Sequence, residues 1–132
     1  MNICMAQINT LVGDVEGNTR RVLEVSLRAR DEWCAELVVF PELTLTGYPP
    51  EDLLMRGDIT ERTQAALTTL CESLPNNIAV IVGYPRKQGE RMFNSAGVIQ
   101  EGLVIAEYDK QCLPNYQVFD ERRYFVPGTE PC

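Results

Sequence analysis

A chain of 132 residues with 45% hydrophobic and 23% charged side chains has the make-up of one globular domain, and no apolar run approaches the roughly 20 residues that cross a bilayer. A net charge of −7 and a pI near 4.6, with the basic residues dispersed, exclude the positive face that phosphate neutralisation requires, so nucleic acid is not an expected partner. Five cysteines without a CxxC pair, and no histidine, exclude a structural zinc set and every Ser-His or Cys-His hydrolytic pair.

Acid and base chemistry therefore falls to carboxylate, lysine, tyrosine or thiol. The odd cysteine count suits free thiols in a reducing compartment, and Met1 opens a strand-like segment rather than a basic signal sequence. A cytoplasmic location is expected.

In chain order, MNICMAQIN over 1–9 reads as a strand, and Asn9 to Asn18, with Gly13, Asp14 and Gly17, as a loop. Val22, Ser26, Ala29 and Trp33 recur at helical spacing after Thr19, which predicts an amphipathic helix to about Cys34 with Asn18 as its N-cap. The continuous run LVVF predicts a strand buried on both faces. PELTLTGYPPEDLL, dense in Pro and Gly, predicts an ordered loop at that strand's carboxyl end, where active sites commonly lie.

Thr63, Leu67, Leu70 and Leu74 predict a second helix closed by Pro75. Ile78 to Val82 reads as the next buried strand, and Asn94 to Gln100 and Leu103 to Tyr108 as a β-hairpin about Glu101-Gly102. The remainder, DKQCLPNYQVFDERRYFVPGTEPC, has neither period and predicts a structured loop. The order implies an α/β fold, a mostly buried sheet with helices on its face.

Two residues stand where such a sheet would place chemistry. Glu42 follows LVVFP directly, so its carboxylate is expected at the end of a central strand beside the core, where burial would raise its pKa and suit it as a general base. A glutamate there can equally cap or salt-bridge the strand end. Lys110 ends LVIAEYDK, again where a strand meets a loop, and can stabilise an oxyanion or simply be solvated.

VVFPELTLTGYPPEDLL and YDKQCLPNYQVFDERRYFVPG resemble the segments that bear the catalytic glutamate and lysine of the nitrilase superfamily of carbon-nitrogen hydrolases. GYPPEDLL, KQCLPNYQVFDERRYF and the opening MAQINTLVGDVEGNTRRV are most similar to the amino-terminal glutaminase domain of glutamine-dependent NAD+ synthetases. The resemblance implies the N-terminal half of an α-β-β-α sandwich with a mixed sheet. It assigns Glu42 as general base for a cysteine thiol, Lys110 to the tetrahedral intermediate, Glu121 to positioning lysine and substrate, and Tyr48 and Tyr116 to a glutamine pocket.

In that family the nucleophile follows the lysine by some tens of residues, so residues 1–132 are expected to be a partial amidohydrolase domain, inactive alone, with its cysteine beyond Cys132. Cys112 lies where the family carries no cysteine and is read as structural, like Cys4, Cys34 and Cys71. The implied reaction is hydrolysis of glutamine, whose ammonia a C-terminal synthetase domain uses with ATP and magnesium to amidate nicotinic acid adenine dinucleotide. No cofactor or metal is expected in this chain itself, and assembly into homo-oligomers is. The alternatives are a stand-alone amidase of the superfamily and a non-catalytic interaction or dimerisation module.

Overall fold

The computed structural model describes residues 1–131. Five strands, β1 (Ile3–Met5), β2 (Leu37–Val39), β3 (Ala79–Gln88), β4 (Arg91–Gln100) and β5 (Leu103–Asp109), form one sheet in sequential order. β1, β2 and β3 run parallel, while β3, β4 and β5 pair antiparallel, so the sheet is mixed. The parallel half needs crossovers, and two helices supply them. They are α1 (Val15–Trp33) and α2 (Gly57–Ser73).

Strand alternation assigns the faces. Val38, Val80, Val82 and Ile99 are fully buried against Val22, Ala29, Leu67 and Leu70 of the helices. Among the described residues, the opposite face carries no helix. Ile3, Met5 and Ile105 are 58%, 85% and 56% exposed, and Leu37 and Val39 are only half-buried, so LVVF is covered on one face rather than on both. No helix among the described residues is long and apolar enough to cross a membrane.

Several element bounds differ from the sequence expectation, each for a local reason. α1 begins at Val15, capped by Asp14, whose carboxylate accepts from the Gly17 amide at 3.0 Å. Asn18 is therefore not the cap. It sits inside α1, 4% exposed, and its side chain bonds the Leu11 amide and the Leu11 and Leu45 carbonyls, tying the loop after β1 to the loop after β2. The helix ends where Cys34 turns left-handed at φ 52° and returns its amide to the last carbonyls.

β3 runs six residues beyond Val82, through the partly polar GYPRKQ, because a two-residue turn at Gly89-Glu90 folds it onto β4. The second turn has positive φ at both Glu101 (52°) and Gly102 (77°), the conformation that follows the right-handed twist of a hairpin. The segments that lack period contain only short 3-10 turns, Glu51–Met55 and Glu121–Arg123.

Candidate active site

β2 stops at Val39, but the chain stays on the sheet: the Phe40 amide donates to the Ile81 carbonyl at 2.9 Å and the Leu45 amide to the Gly83 carbonyl at 3.2 Å. Between them lies Glu42. Leu43 follows at φ 51°, a left-handed conformation that costs a non-glycine residue about 1–2 kcal/mol. It sends the leucine side chain inward, 1% exposed, beside Leu54, Leu113 and Phe125. This small second core joins the loop after β2 to the segment after β5, and so sets their separation.

Gly83 is the floor beneath Glu42. A Cβ there would stand 2.5 Å from the Leu43 amide nitrogen and 2.8 Å from the Pro41 carbonyl oxygen, so the backbone of 41–43 rests on the bare glycine. Gly83→Ala is expected to lose about 1–3 kcal/mol of stability, as overpacking does, and to displace the Glu42 carboxylate. The melting temperature should fall accordingly in thermal unfolding; an unchanged melting temperature would mean that the loop gives way freely.

Lys110 arrives from the other side. Its amide donates to the Asn94 carbonyl at 2.8 Å and its carbonyl accepts from the Gly128 amide at 3.0 Å. Below it, Asp109 accepts from Ser95 Oγ at 2.5 Å and from Arg86 Nη2 at 2.5 Å, while Tyr84 donates to Glu107 at 2.5 Å. Burial pushes the Asp109 carboxyl up, but the Arg86 and Ser95 hydrogen bonds outweigh it and hold the group below the ordinary aspartate range. Burial and Glu107 together raise the Tyr84 hydroxyl.

Although 68 positions apart in sequence, Lys110 Nζ and Glu42 Oε1 are 2.9 Å apart, and the same ammonium reaches Glu121 Oε1 at 3.0 Å. Burial lowers the affinity of Lys110 for its proton, yet the hydrogen bonds it donates to Glu42 and Glu121 prevail and the lysine is held charged, above its usual value. Glu121, whose side chain is 8% exposed, is pushed up first by burial, against the pull of Lys110 and with the help of the Glu42 charge. Its Oε2 is buried with no hydrogen-bond partner among the described residues, an acceptor left open.

The expected burial of Glu42 is not what the structure shows. Its side chain is 43% exposed, because the loop carries it past the strand end onto the helix-free side of the sheet. There it lines an open depression of about 300 Å³ with Gly83, Asn94, Tyr108 and Lys110. A second depression of about 240 Å³ is lined by Tyr48, Asp52, Phe119, Glu121 and Tyr124.

Tyr48 thus lies beside Glu121, its hydroxyl raised by burial and by the carboxylates of Glu121 and Glu42. Tyr116 lines neither depression; it is 64% exposed and packs edge-on against Phe119 at 5.8 Å. No cysteine among the described residues lines either one. Cys112 is exposed, Cys4 and Cys71 pack against the main core, and Cys132 lies outside the described residues.

One residue of the cluster escaped the sequence reading. Asn94, 4% exposed in β4, donates from Nδ2 to Glu42 Oε1 at 2.6 Å. Its only sequence signal is an amide at the start of the run Asn94 to Gln100 read as a strand, where a buried polar group must find a partner.

Residues 2–132 match the family model described as Carbon-nitrogen hydrolase. The chain is 46% identical over 125 residues to a glutamine-dependent NAD(+) synthetase of Xanthomonas campestris, and 40% identical over 131 residues to that of Thermotoga maritima. These alignments cover 95% and 98% of this chain, which spans about 22% of the length of either relative. Among solved structures, the glutamine-dependent NAD+ synthetase of Acinetobacter baumannii superposes with a TM-score of 0.92 at 36% identity, over 97% of this chain and 24% of that one. An amidase from Nesterenkonia sp. superposes at 0.86 with 28% identity, over 99% of this chain and 49% of that one. With a family model matched along nearly its whole length and a mixed sheet that superposes on two kinds of amide-handling enzyme, the chain belongs to the carbon-nitrogen hydrolases.

Proposed function

We propose that this chain carries the general-base and oxyanion half of a glutamine amidohydrolase site, within a protein of the NAD+ synthetase type. The observation that carries the reading is the cluster in which Lys110 bridges Glu42 and Glu121 at 2.9 and 3.0 Å beside an open depression. Glu42 takes the proton of a cysteine thiol, the thiolate attacks the amide carbon of glutamine, and Lys110 holds the negative oxygen of the tetrahedral intermediate. The proton returns to the leaving ammonia, and water then releases glutamate from the thioester.

Residues outside 1–132 supply that cysteine, in keeping with the greater length of the relatives and with linings that hold no thiol among the described residues. Glu121 fixes the lysine, and Tyr48 contributes to the glutamine pocket, whereas Tyr116, which lines neither depression, only buttresses Phe119. A carboxyl-terminal synthetase domain receives the ammonia and amidates nicotinic acid adenine dinucleotide with ATP and magnesium. The names of the relatives support this over a stand-alone amidase, although the likeness to the Nesterenkonia amidase extends to the same fold.

The test is Glu42→Gln in the complete protein, measured with glutamine and with free ammonia as nitrogen source. Glutamine-dependent synthesis should fall about 10²–10⁴-fold, the usual worth of a general base, while ammonia-dependent synthesis is retained. Full glutamine use by the variant would remove Glu42 from the chemistry.

A further inference from the structure

Glu42 presents two carboxylate oxygens, and the structure treats them unequally. Oε1 accepts both from Asn94 Nδ2 at 2.6 Å and from Lys110 Nζ at 2.9 Å, whereas Oε2 has no hydrogen-bond partner among the described residues. The amide of Asn94 has only one sensible orientation here, because a carboxylate can only accept and so the nitrogen must face it. Asn94 is also held on both sides: its β4 position faces Pro85 of β3, and its main-chain carbonyl accepts from the Lys110 amide at 2.8 Å. One buried residue thus touches the two candidate catalytic residues through different groups, with its side chain on the base and its backbone on the lysine.

We propose that Asn94 is a positioning residue that engages Oε1 of Glu42 and thereby presents Oε2 as the oxygen that takes the thiol proton. The assignment rests on the amidohydrolase reading given above. Without Asn94 the carboxylate keeps a single anchor, the flexible lysine, which also serves Glu121. Its plane can then turn about the side-chain torsions, and misplacement of a reacting atom by an ångström is enough for large losses in rate. Lys110 alone cannot restore the geometry, since an ammonium on a four-carbon stem imposes little direction compared with an amide fixed in a strand.

The experiment compares Asn94→Ala, Asn94→Asp and Asn94→Ser in the complete protein by steady-state glutamine hydrolysis. Asn94→Asp preserves the size of the side chain but replaces the donor with a second carboxylate. It should lose at least as much as Asn94→Ala, with kcat down about 10–100-fold and KM within about threefold in both. A packing role would rank them the other way, since aspartate leaves no cavity. Asn94→Ser, which keeps a polar atom too short to reach Glu42, should match alanine and serves if alanine fails to fold.

The second measurement repeats Asn94→Ala in a Glu42→Gln background. A residue that acts only through Glu42 should cost less than about threefold there, a strong departure from additivity. Equal losses in the two backgrounds, or an aspartate variant as active as the parent, would overturn the assignment of Asn94 while leaving the role of Glu42 intact. Full glutamine hydrolysis by Glu42→Gln alone would instead sink the amidohydrolase reading itself, and this inference with it.

Discussion

Lys110→Met is expected to lower kcat for glutamine hydrolysis about 10³-fold, at the upper end of what loss of one oxyanion donor costs. Two effects add. On the proposed amidohydrolase reading the tetrahedral oxygen loses its cation, and Glu42 and Glu121, which share that ammonium at 2.9 and 3.0 Å, are left as facing carboxylates with nothing between them. Like charges so placed favour retention of a proton, and Glu121 is already displaced upward by burial and by the charge of Glu42.

Lys110→Arg should not rescue the activity, because a planar guanidinium cannot occupy the point between two carboxylates as an ammonium does. Steady-state kinetics on both variants, with ammonia-dependent synthesis as the folding control, decide the matter. A methionine variant within tenfold of the parent would show that the lysine serves only the scaffold.

The largest expected loss of stability comes from Asp109→Ala. The aspartate side chain is 18% exposed and meets Arg86, itself 25% exposed, so removal leaves a guanidinium with much of its hydration gone and its best partner missing. Breaking one side of a buried pair costs about 3–5 kcal/mol; with this residual exposure and with Glu107 nearby at 4.0 Å, about 2–3 kcal/mol is expected. Chemical denaturation measures it.

The pH dependence has a definite sign. Because the folded carboxyl lies below its ordinary value, the pair stabilises fully above the unfolded aspartate pKa, near 4. That stability is lost as the pH falls through the lower folded value. The parent should therefore lose stability on acidification more steeply than Asp109→Ala, and parallel acid limbs would refute the contribution.

How much of this was legible beforehand depends on what carries the information. α2 and the β4–β5 hairpin are written in local spacing, and the continuous apolar runs LVVF and Ile78 to Val82, set between helical patterns, forecast an α/β fold. Glu42 and Lys110 are legible because each follows an apolar run into a Pro-rich loop. The neighbourhood of Glu42 is not, because its exposure is set by where Gly83 allows the backbone to rest, a contact between residues 41–43 and a distant strand.

Asn18 departs from its local signature for a similar reason. It carries the signature of a cap, but Asp14 takes that role and the asparagine instead joins two loops that no local pattern connects. Asn94 belongs with it, since a buried amide is defined by its partners and those partners lie 52 positions away or across a strand pair.

The sharing of one ammonium between two carboxylates also bears on how a turnover would finish. Lys110 is already neutralised by Glu42 and Glu121, so the cluster holds no uncommitted positive charge. A side-chain amide, neutral and able to donate, meets little opposition on entry. The acid produced by hydrolysis is an anion facing a cluster that offers it no counter-charge, and its departure is favoured by the same electrostatics that admitted the amide. On the proposed amidohydrolase reading, the cluster distinguishes substrate from product by the charge of the reacting side chain, and glutamate should be a poor inhibitor.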